Sequence, residues 1–300
     1  MTQPGEPERS TVPAPDGGEL EVLIDGPDEG LPLVFQAGTP SGLTAFAPMT
    51  LAAAERGLRT VLYSRPGYGR STARPGRLVA SAAADVSAIL SQLGADAFVT
   101  AGWSGGGPHA LACAAQLPGR CLAAAVIAGP APRDAAGLDW LDGMGPENVE
   151  EFTAAEAGAD ALDKLLDQAA AGLAGVTAGE LAASLGGLLS AADRPVLSTG
   201  LAEYLAASFR ASVSTGTAGW RDDDLAFVRD WGFRLAACAG MPVAVWQGAQ
   251  DRMVPGAHGE WLAANVPGAR LRLRPQDGHL TLVASSFGEI LDDLIQLAGR

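Results

Sequence analysis

The sequence contains few basic residues for its length. Its 20 Lys and Arg residues are outnumbered by 34 Asp and Glu residues, which gives a formal net charge of −14 over 300 residues. Such a chain repels phosphate backbones and anionic lipids, and no basic stripe reverses the sign locally. We therefore expect neither nucleic acid nor a membrane surface among its partners.

Cysteine is also scarce. Cys113, Cys121 and Cys238 are odd in number, lie in apolar surroundings and show no C-x-x-C spacing. This pattern argues against a disulfide framework and against a zinc site. We predict that the three cysteines are small core residues.

Long hydrophobic runs are absent as well. No apolar segment reaches the roughly 20 residues that span a bilayer, and MTQPGEPERSTVPAPDGG at the N-terminus lacks the pattern of a secretion signal. The default expectation is a cytoplasmic protein. Residues 1–18 are rich in proline, glycine and glutamate, so we predict a flexible leader there.

Apolar and small residues, by contrast, are plentiful. Apolar residues make up 48% of the chain and charged residues 18%, with 39 glycines, as in a compact globular protein. The length fits one elaborated domain about as well as two small ones, and we favour a single domain with an insertion.

Short apolar runs alternate with helical patterns over much of the chain. ELEVLIDG alternates like a half-exposed strand, whereas LPLVFQAG, RTVLYSRPG, DAFVTAGW and CLAAAVIAGP are typical of strands buried on both faces. Alternation of strands and helices requires parallel pairing through right-handed crossovers. We therefore predict the α/β class, with a mostly parallel, doubly wound sheet.

Strand character disappears in the middle of the chain. From residue 139 to residue 232 the patterns are helical, and strands return with MPVAVWQGAQD and ARLRLRPQDG. We interpret residues 139–232 as an inserted all-helical cap. Residues 19–138 and 233–300 would then form the core domain.

One serine lies among glycines where a predicted strand meets a predicted helix. Gly102, Trp103, Ser104, Gly105 and Gly106 fill the pattern G-x-S-x-G. A nucleophile at such a turn occupies a strained conformation above the sheet, and small neighbours let the strand and helix approach closely. Ser104 is therefore the candidate nucleophile, and a glycine-rich turn without chemistry is the alternative.

A serine hydroxyl needs a base at neutral pH, and the chain has three histidines. His279 follows the last predicted strand and begins the final helix, on the same sheet edge as Ser104, so it is the predicted base. His109 lies inside the helix after Ser104, where packing or capping explains it better. We expect His258 at the start of a surface helix.

The imidazole needs an acid that fixes its tautomer. Asp251 closes the strand PVAVWQGAQD at the same edge, and the order Ser104, Asp251, His279 is the one expected for this arrangement. Asp277 is the rival, but its closeness to His279 suggests that it shapes the turn. The acidic triplet at 222–224 is interpreted as a solvated helix start.

Acyl transfer also requires donors for the oxyanion. The backbone amide of Gly105, directly after the nucleophile, is one candidate. The loop QAGTPSG follows the strand LPLVF, and within it we choose the amide of Thr39 as the second donor. A turn without a catalytic part is the alternative for this loop.

With these residues assembled, the chain resembles α/β-hydrolase-fold proteins with a helical cap, especially actinobacterial hydrolases related to proline iminopeptidases. The resemblance rests on FQAGTP, SRPGYGRS, GWSGGGPHALA and WQGAQDRMVP followed by DGHL, in that order. Ala37 stands where many relatives carry histidine in the oxyanion loop.

The resemblance implies a serine hydrolase that cleaves an ester, thioester, lactone or amide, with no metal and no organic cofactor. Dehalogenases and epoxide hydrolases of this fold carry aspartate where this chain has Ser104. A small-molecule substrate and a monomer or homodimer are the remaining expectations.

Four aromatic residues are candidates for an apolar substrate pocket between cap and sheet: Trp103, Trp140, Phe152 and Trp220. Core packing explains them equally well. The resemblance to aminopeptidases also suggests that three cap glutamates bind a substrate amine, although a solvated helix face is the better explanation: Glu147, Glu150 and Glu151.

Two other functions use the same fold. The pocket could serve binding or the templating of a biosynthetic cyclisation, because fold alone does not determine function. A cofactor-free perhydrolase or haloperoxidase would use the same serine chemistry with peroxide in place of water.

Overall fold

The computed structural model describes residues 7–300, which form one eight-stranded sheet covered by helices on both faces. Its strands are β1 (Glu8–Pro13), β2 (Glu19–Asp25), β3 (Leu31–Gln36), β4 (Leu58–Tyr63), β5 (Phe98–Trp103), β6 (Cys121–Ile127), β7 (Val243–Gly248) and β8 (Arg270–Arg274). They lie in the order β1-β2-β4-β3-β5-β6-β7-β8.

The sheet is parallel from β4 to β8, whereas β1 pairs antiparallel with β2, and β2 pairs antiparallel with β4. Five helices accompany the strands: α1 (Ala47–Ala54), α2 (Ser81–Gln92), α3 (Gly106–Gln116), α9 (Gly256–Asn265) and α10 (His279–Leu297). One apolar cluster joins α2, α3 and α9 to one sheet face, and a second joins α1 and α10 to the other. The predicted doubly wound α/β architecture is confirmed.

The three cysteines, Cys113, Cys121 and Cys238, are buried in the first apolar cluster and are free. They pack there as small core residues, as the sequence predicted. A separate observation concerns helix length and hydropathy: within residues 7–300 no helix is both long and apolar enough to cross a membrane.

The N-terminal segment corrects one expectation from composition. Part of the predicted leader forms β1, which pairs with β2 from Glu8 opposite Ile24 to Pro13 opposite Glu19. Val12 reaches the core. Backbone pairing with an existing sheet orders this segment even though it buries little apolar surface itself; residues 1–6 lie outside the described part of the chain.

β2 is also more buried than its alternating pattern predicts. Glu21, the polar residue expected on an exposed face, is 3% exposed. Its carboxylate accepts hydrogen bonds from Arg9 Nη1 at 3.1 Å and Ser64 Oγ at 3.0 Å. A charged residue can be buried when it is paired and hydrogen-bonded. The alternating pattern of β2 therefore does not show whether its polar face is exposed.

Between β6 and β7 the described chain forms helices and short 3-10 turns. The helices are α4 (Pro146–Ala157), α5 (Ala159–Leu173), α6 (Leu181–Leu185), α7 (Gly200–Ser212) and α8 (Ala218–Phe227). Gly158, with φ of 113°, divides α4 from α5, because this conformation is open to glycine and interrupts a helix. These helices form the cap above the carboxyl edge of the parallel strands.

Candidate active site

Ser104 occupies the turn between β5 and α3 with a φ of 55°. Its backbone N–H donates to the carbonyl of Ile127 at 2.8 Å, which holds the turn on β6. Left-handed backbone conformations are uncommon for residues other than glycine and concentrate at functional sites. The predicted nucleophile therefore has the strained backbone expected of such a turn.

The glycines around Ser104 are required by close approach. A Cβ atom on Gly102 would overlap the carbonyl oxygen of Gly106, and one on Gly106 would overlap the carbonyl oxygen of Gln36. Strand β5, helix α3 and the end of β3 thus meet with no space for a methyl group. This crowding explains why the serine is flanked by glycine on both sides.

Asp251 and His279 are in contact at the carboxyl edge of the sheet. His279 Nδ1 donates to Asp251 Oδ2 at 2.7 Å, and the two residues are 2% and 5% exposed. Asp251 Oδ1 accepts the backbone N–H groups of Met253 and Val254 at 2.8 and 2.9 Å. The carboxylate is therefore held in place and fixes the imidazole tautomer with Nε2 as the acceptor.

The same contact controls the charge of the imidazole. Burial disfavours the imidazolium ion, but the negative charge of Asp251 and the hydrogen bond to it outweigh burial and raise the pKa of His279. A base that gains a proton during a reaction is stabilised by this arrangement.

Trp103 links the imidazole to the nucleophile turn. Its indole stacks on the His279 ring with centroids 5.6 Å apart, and it is the residue directly before Ser104. The Ser104 hydroxyl has no hydrogen-bond partner among residues 7–300, and this residue lines a cavity under the cap.

Two backbone amides beside Ser104 are unpaired in the described chain: those of Thr39 and Gly105 make no hydrogen bond there. Both residues line the same cavity as Ser104. They are neighbours, because a Cβ atom on Gly105 would contact Thr39 Oγ1. Free N–H donors at this position are suited to stabilising an oxyanion.

The cavity between sheet and cap has a volume of about 400 Å³, in the range of small-molecule sites. Phe152 and Trp220 line it, as predicted. Trp103 and Trp140 do not. Trp140 is 1% exposed, donates its indole N–H to the carbonyl of Ala131 at 2.7 Å and packs edge-on against Phe152, so it supports the wall from behind.

Three carboxyl groups line this cavity, from Glu147, Glu151 and Asp224, and none of the lining residues is basic. Asp224 is 1% exposed, and neither carboxyl oxygen has a hydrogen-bond donor among the described residues. Trp220 Nε1 donates to Glu151 Oε1 at 2.8 Å. Burial raises the pKa of both Glu151 and Asp224.

This placement corrects two expectations. The acidic triplet at 222–224 is buried rather than solvated. Of the three cap glutamates assigned to a solvated face, only Glu150 is exposed, whereas Glu147 and Glu151 are partly buried at the cavity. Helical spacing on an acidic segment did not reveal which face of the helix is buried in the folded protein.

The remaining histidines are buried in other contacts. His109 Nδ1 donates to the carbonyl of Gly105 at 2.8 Å, in keeping with the capping role expected of it, and burial lowers its pKa to about 3. His258 begins α9 as predicted but is not on the surface. It is 0% exposed, with Nε2 donating to the carbonyl of Trp140 at 2.9 Å.

Asp277, the rival acid, lies apart from the imidazole. Its carboxylate is 3.5 Å from Arg274 Nε and accepts a hydrogen bond from Ser285 Oγ at 3.5 Å. It therefore stabilises the turn before α10, the role that its position in the sequence suggested.

Sequence analysis missed Asp193 and Arg65 near the site, and it placed Asp223 on a solvated helix start although this residue is buried. Asp193 binds the first turn of α10, and Asp223 binds Arg65 across 158 residues of sequence. Arg65 belongs to SRPGYGRS, where it could have been noted as a charged residue at the end of a buried strand. No local pattern marks Asp193.

Comparisons with known proteins agree with this architecture. A family model described as alpha/beta hydrolase fold matches residues 32–284. A non-heme chloroperoxidase from Streptomyces lividans is 33% identical over 147 residues, 48% of this chain and 53% of that protein. The match thus spans about half the length of this curated relative.

Solved structures are similar over nearly the whole chain. A hydrolase from Pseudomonas aeruginosa PA01 has a TM-score of 0.66 and 23% identity, covering 99% of this chain and 100% of that one. The enol-lactonase from Burkholderia xenovorans LB400 has a TM-score of 0.66 and 20% identity, covering 96% and 100%. At these identities the likeness shows the common fold.

Proposed function

Because the chain belongs to the α/β hydrolase fold family, we propose that it is a serine hydrolase acting on a carboxylic ester, thioester, lactone or amide of a small molecule. The observation that carries the proposal is the 2.7 Å contact between His279 and Asp251 at the sheet edge where Ser104 lines a cavity. Nucleophile, base and acid are thereby assigned to three separate segments of the chain.

In the proposed mechanism His279 Nε2 takes the proton of the Ser104 hydroxyl as its oxygen attacks the substrate carbonyl. Asp251 stabilises the imidazolium that forms, and the amides of Thr39 and Gly105 bind the oxyanion. The imidazolium then protonates the leaving group, and an acyl-enzyme remains on Ser104. Water, deprotonated by His279, releases the acid and regenerates the serine.

The cavity favours the aminopeptidase-like form of this activity over the carboxylesterase-like form. Three carboxyl groups line it without a basic residue, and a cationic ligand would relieve the cost of burying them. We propose that the substrate carries a protonated amine. An α-aminoacyl p-nitroanilide should be cleaved at least tenfold faster than its N-acetyl counterpart; equal rates would contradict this preference.

The likeness to a non-heme chloroperoxidase supports a second candidate, a perhydrolase in which hydrogen peroxide replaces the hydrolytic water. Halogenation of a β-diketone by bromide, peroxide and acetate would then depend on Ser104. Binding or templated cyclisation remains the alternative without hydrolysis. A ligand that stabilises wild type and Ser104→Ala equally and is recovered intact would favour it.

Covalent labelling tests the main proposal. A fluorophosphonate should label wild type, and Ser104→Ala should lose both the label and the hydrolysis of short p-nitrophenyl esters. Ser184 also lines the cavity and provides the matched control, since Ser184→Ala should keep both. If Ser104→Ala retains label and rate, the serine mechanism is wrong.

A further inference from the structure

Arg65 lies directly behind the loop that carries Thr39. Its guanidinium donates to the carbonyl oxygens of Ala37 at 2.6 Å and Gly38 at 2.8 Å, and to Thr39 Oγ1 at 2.9 Å. One side chain thus binds three consecutive residues of the loop. Ala37 has no polar side chain that could anchor the loop in its place, and Arg65 is itself 4% exposed.

The contact with Gly38 determines where the Thr39 amide points. The C=O of Gly38 and the N–H of Thr39 belong to one planar peptide unit, and in a trans unit they point in opposite directions. Because Arg65 holds the carbonyl from behind, the N–H is directed to the other side of the peptide plane. The same relation joins the carbonyl of Ala37 to the N–H of Gly38.

Asp223 of α8 holds Arg65 in turn, and its carboxylate is 0% exposed. Its contacts are Arg65 Nε at 3.0 Å, Arg65 Nη2 at 2.6 Å, Thr39 Oγ1 at 2.9 Å, Tyr68 OH at 3.0 Å and Arg77 Nη1 at 2.6 Å. Burial alone would raise the pKa of Asp223, but Arg65 and Arg77 lower it far below its usual range. The two arginines therefore favour the ionised carboxylate.

Arg77 provides an internal comparison for Arg65. It binds the same carboxylate and donates to the carbonyl of Gly219 at 3.0 Å, but it makes no hydrogen bond to residues 37–39. Both arginines stabilise the buried charge cluster, and only Arg65 reaches the loop.

We propose that Arg65 and Asp223 are positioning residues of the oxyanion hole: Arg65 orients the Thr39 amide, and Asp223 fixes Arg65 from the cap. This inference rests on the proposed serine hydrolase function. The cap would then contribute to the chemical step as well as covering the substrate, because α8 carries one end of the ion pair.

Arg65→Lys tests the proposal, since lysine keeps the positive charge beside Asp223 but cannot bind the two carbonyls and the hydroxyl together. We expect kcat for the best p-nitrophenyl ester to fall about 100-fold with KM changed less than threefold, as when an oxyanion donor is lost. Affinity for an aryl trifluoromethyl ketone, which forms an oxyanion on Ser104, should fall in parallel. Affinity for a non-reacting substrate analogue should not.

Arg77→Lys is the matched control. It weakens the same cluster and should lower the Tm as much as Arg65→Lys, while kcat stays within threefold of wild type. Equal losses of kcat in the two variants, or an Arg65→Lys variant that loses only stability, would overturn the positioning role. If Ser104→Ala is fully active, the hydrolase function itself fails; if only Arg65→Lys is unaffected, the function stands without this inference.

Discussion

Asp193 of the cap accepts the backbone N–H of His279 at 3.0 Å, although 86 residues separate them in sequence. It also accepts the N–H groups of Leu280 at 2.8 Å and Thr281 at 2.9 Å. The first N–H groups of a helix have no partner within the helix, and Gly278 has no side chain that could cap α10. A carboxylate from the cap thus completes the helix that begins with the predicted base.

Replacing this carboxylate should destabilise the protein in a pH-dependent way. Burial would raise the pKa of Asp193, but hydrogen bonds from Thr281 and Ser190 and the nearby His279 lower it overall. A lowered folded-state pKa contributes stability above the unfolded pKa of about 3.9 and loses it as pH falls through the folded value. Asp193→Asn should therefore cost about 0.5–2 kcal/mol at pH 7.

Urea unfolding at pH 7 and below pH 4 measures this difference, which should shrink at the lower pH. Asp134→Asn is the control, because Asp134 is exposed and lies between β6 and the first cap helix. A loss of stability that is the same at both pH values would show that the charge of Asp193 does not matter.

The pH dependence of turnover should depend on Asp251. Since Asp251 raises the pKa of His279, and since the base must be neutral to accept a proton, the acid limb of kcat/KM should lie above the ordinary value of 6.5. Asp251→Asn should move this limb to lower pH, because it removes the main opposition to burial and leaves only the weaker effect of Asp193, and it should reduce kcat by about 10⁴-fold. An acid limb unchanged in Asp251→Asn would assign the titration to another group.

The crowded turn around Ser104 predicts a sharp difference between glycines. Gly106→Ala places a methyl group against the carbonyl of Gln36, whereas Gly119→Ala meets no atom within 4 Å. Overpacking costs about 1–3 kcal/mol or more. Chemical denaturation should show this loss for Gly106→Ala and little change for Gly119→Ala; similar stabilities would mean that the turn adjusts freely.

Replacing Asp224 should increase the stability of the protein and weaken its binding of an aminoacyl substrate. Burial and Glu151 raise the pKa of Asp224 well above the usual value. The protonated carboxyl therefore contributes fully to the free energy of unfolding below the unfolded-state pKa, and this contribution is lost as pH rises through the folded-state pKa. Asp224→Asn should therefore become more stable than wild type as pH rises from 4 to 8. KM for the aminoacyl anilide should rise about tenfold, with no change for the N-acetyl substrate.

The exposed carboxyl of Glu150 supplies the control for that experiment. Glu150→Gln should alter neither the unfolding free energy nor KM. An Asp224→Asn variant with unchanged stability at pH 8 would show that the carboxyl is solvated in the protein, and an unchanged KM would remove the amine preference.

Sequence patterns were sufficient where function depends on strand ends. Predicted strands that end at Trp103, Gly248 and Arg274 place the following residues at one sheet edge, and Asp251 and His279 do meet there. The pattern of strand and helix therefore predicted both the fold and this contact. The catalytic roles themselves stay predictions until they are measured.

The missed residues depend on contacts between distant segments. Three consecutive helical residues span about 200° around the axis, so the triplet at 222–224 could not all face solvent on a helix that packs against α4, α5 and the loops of the core. Which aspartate meets Arg65 is nevertheless decided by the packing of α8 on the core. Local composition likewise failed for residues 8–13, because their order comes from pairing with β2.

Two adjacent residues of α8 have different surroundings. Asp223 accepts a hydrogen bond from Thr39 in the loop that follows β3, and Asp224 lines the cavity. Replacing the cap with that of another hydrolase to broaden specificity would remove both aspartates, together with Asp193. A chimera that receives only the cavity-lining residues of the new cap would lack the contacts that Asp193 and Asp223 make with the core. An exchange of the cap should therefore retain these aspartates or introduce residues that replace their contacts.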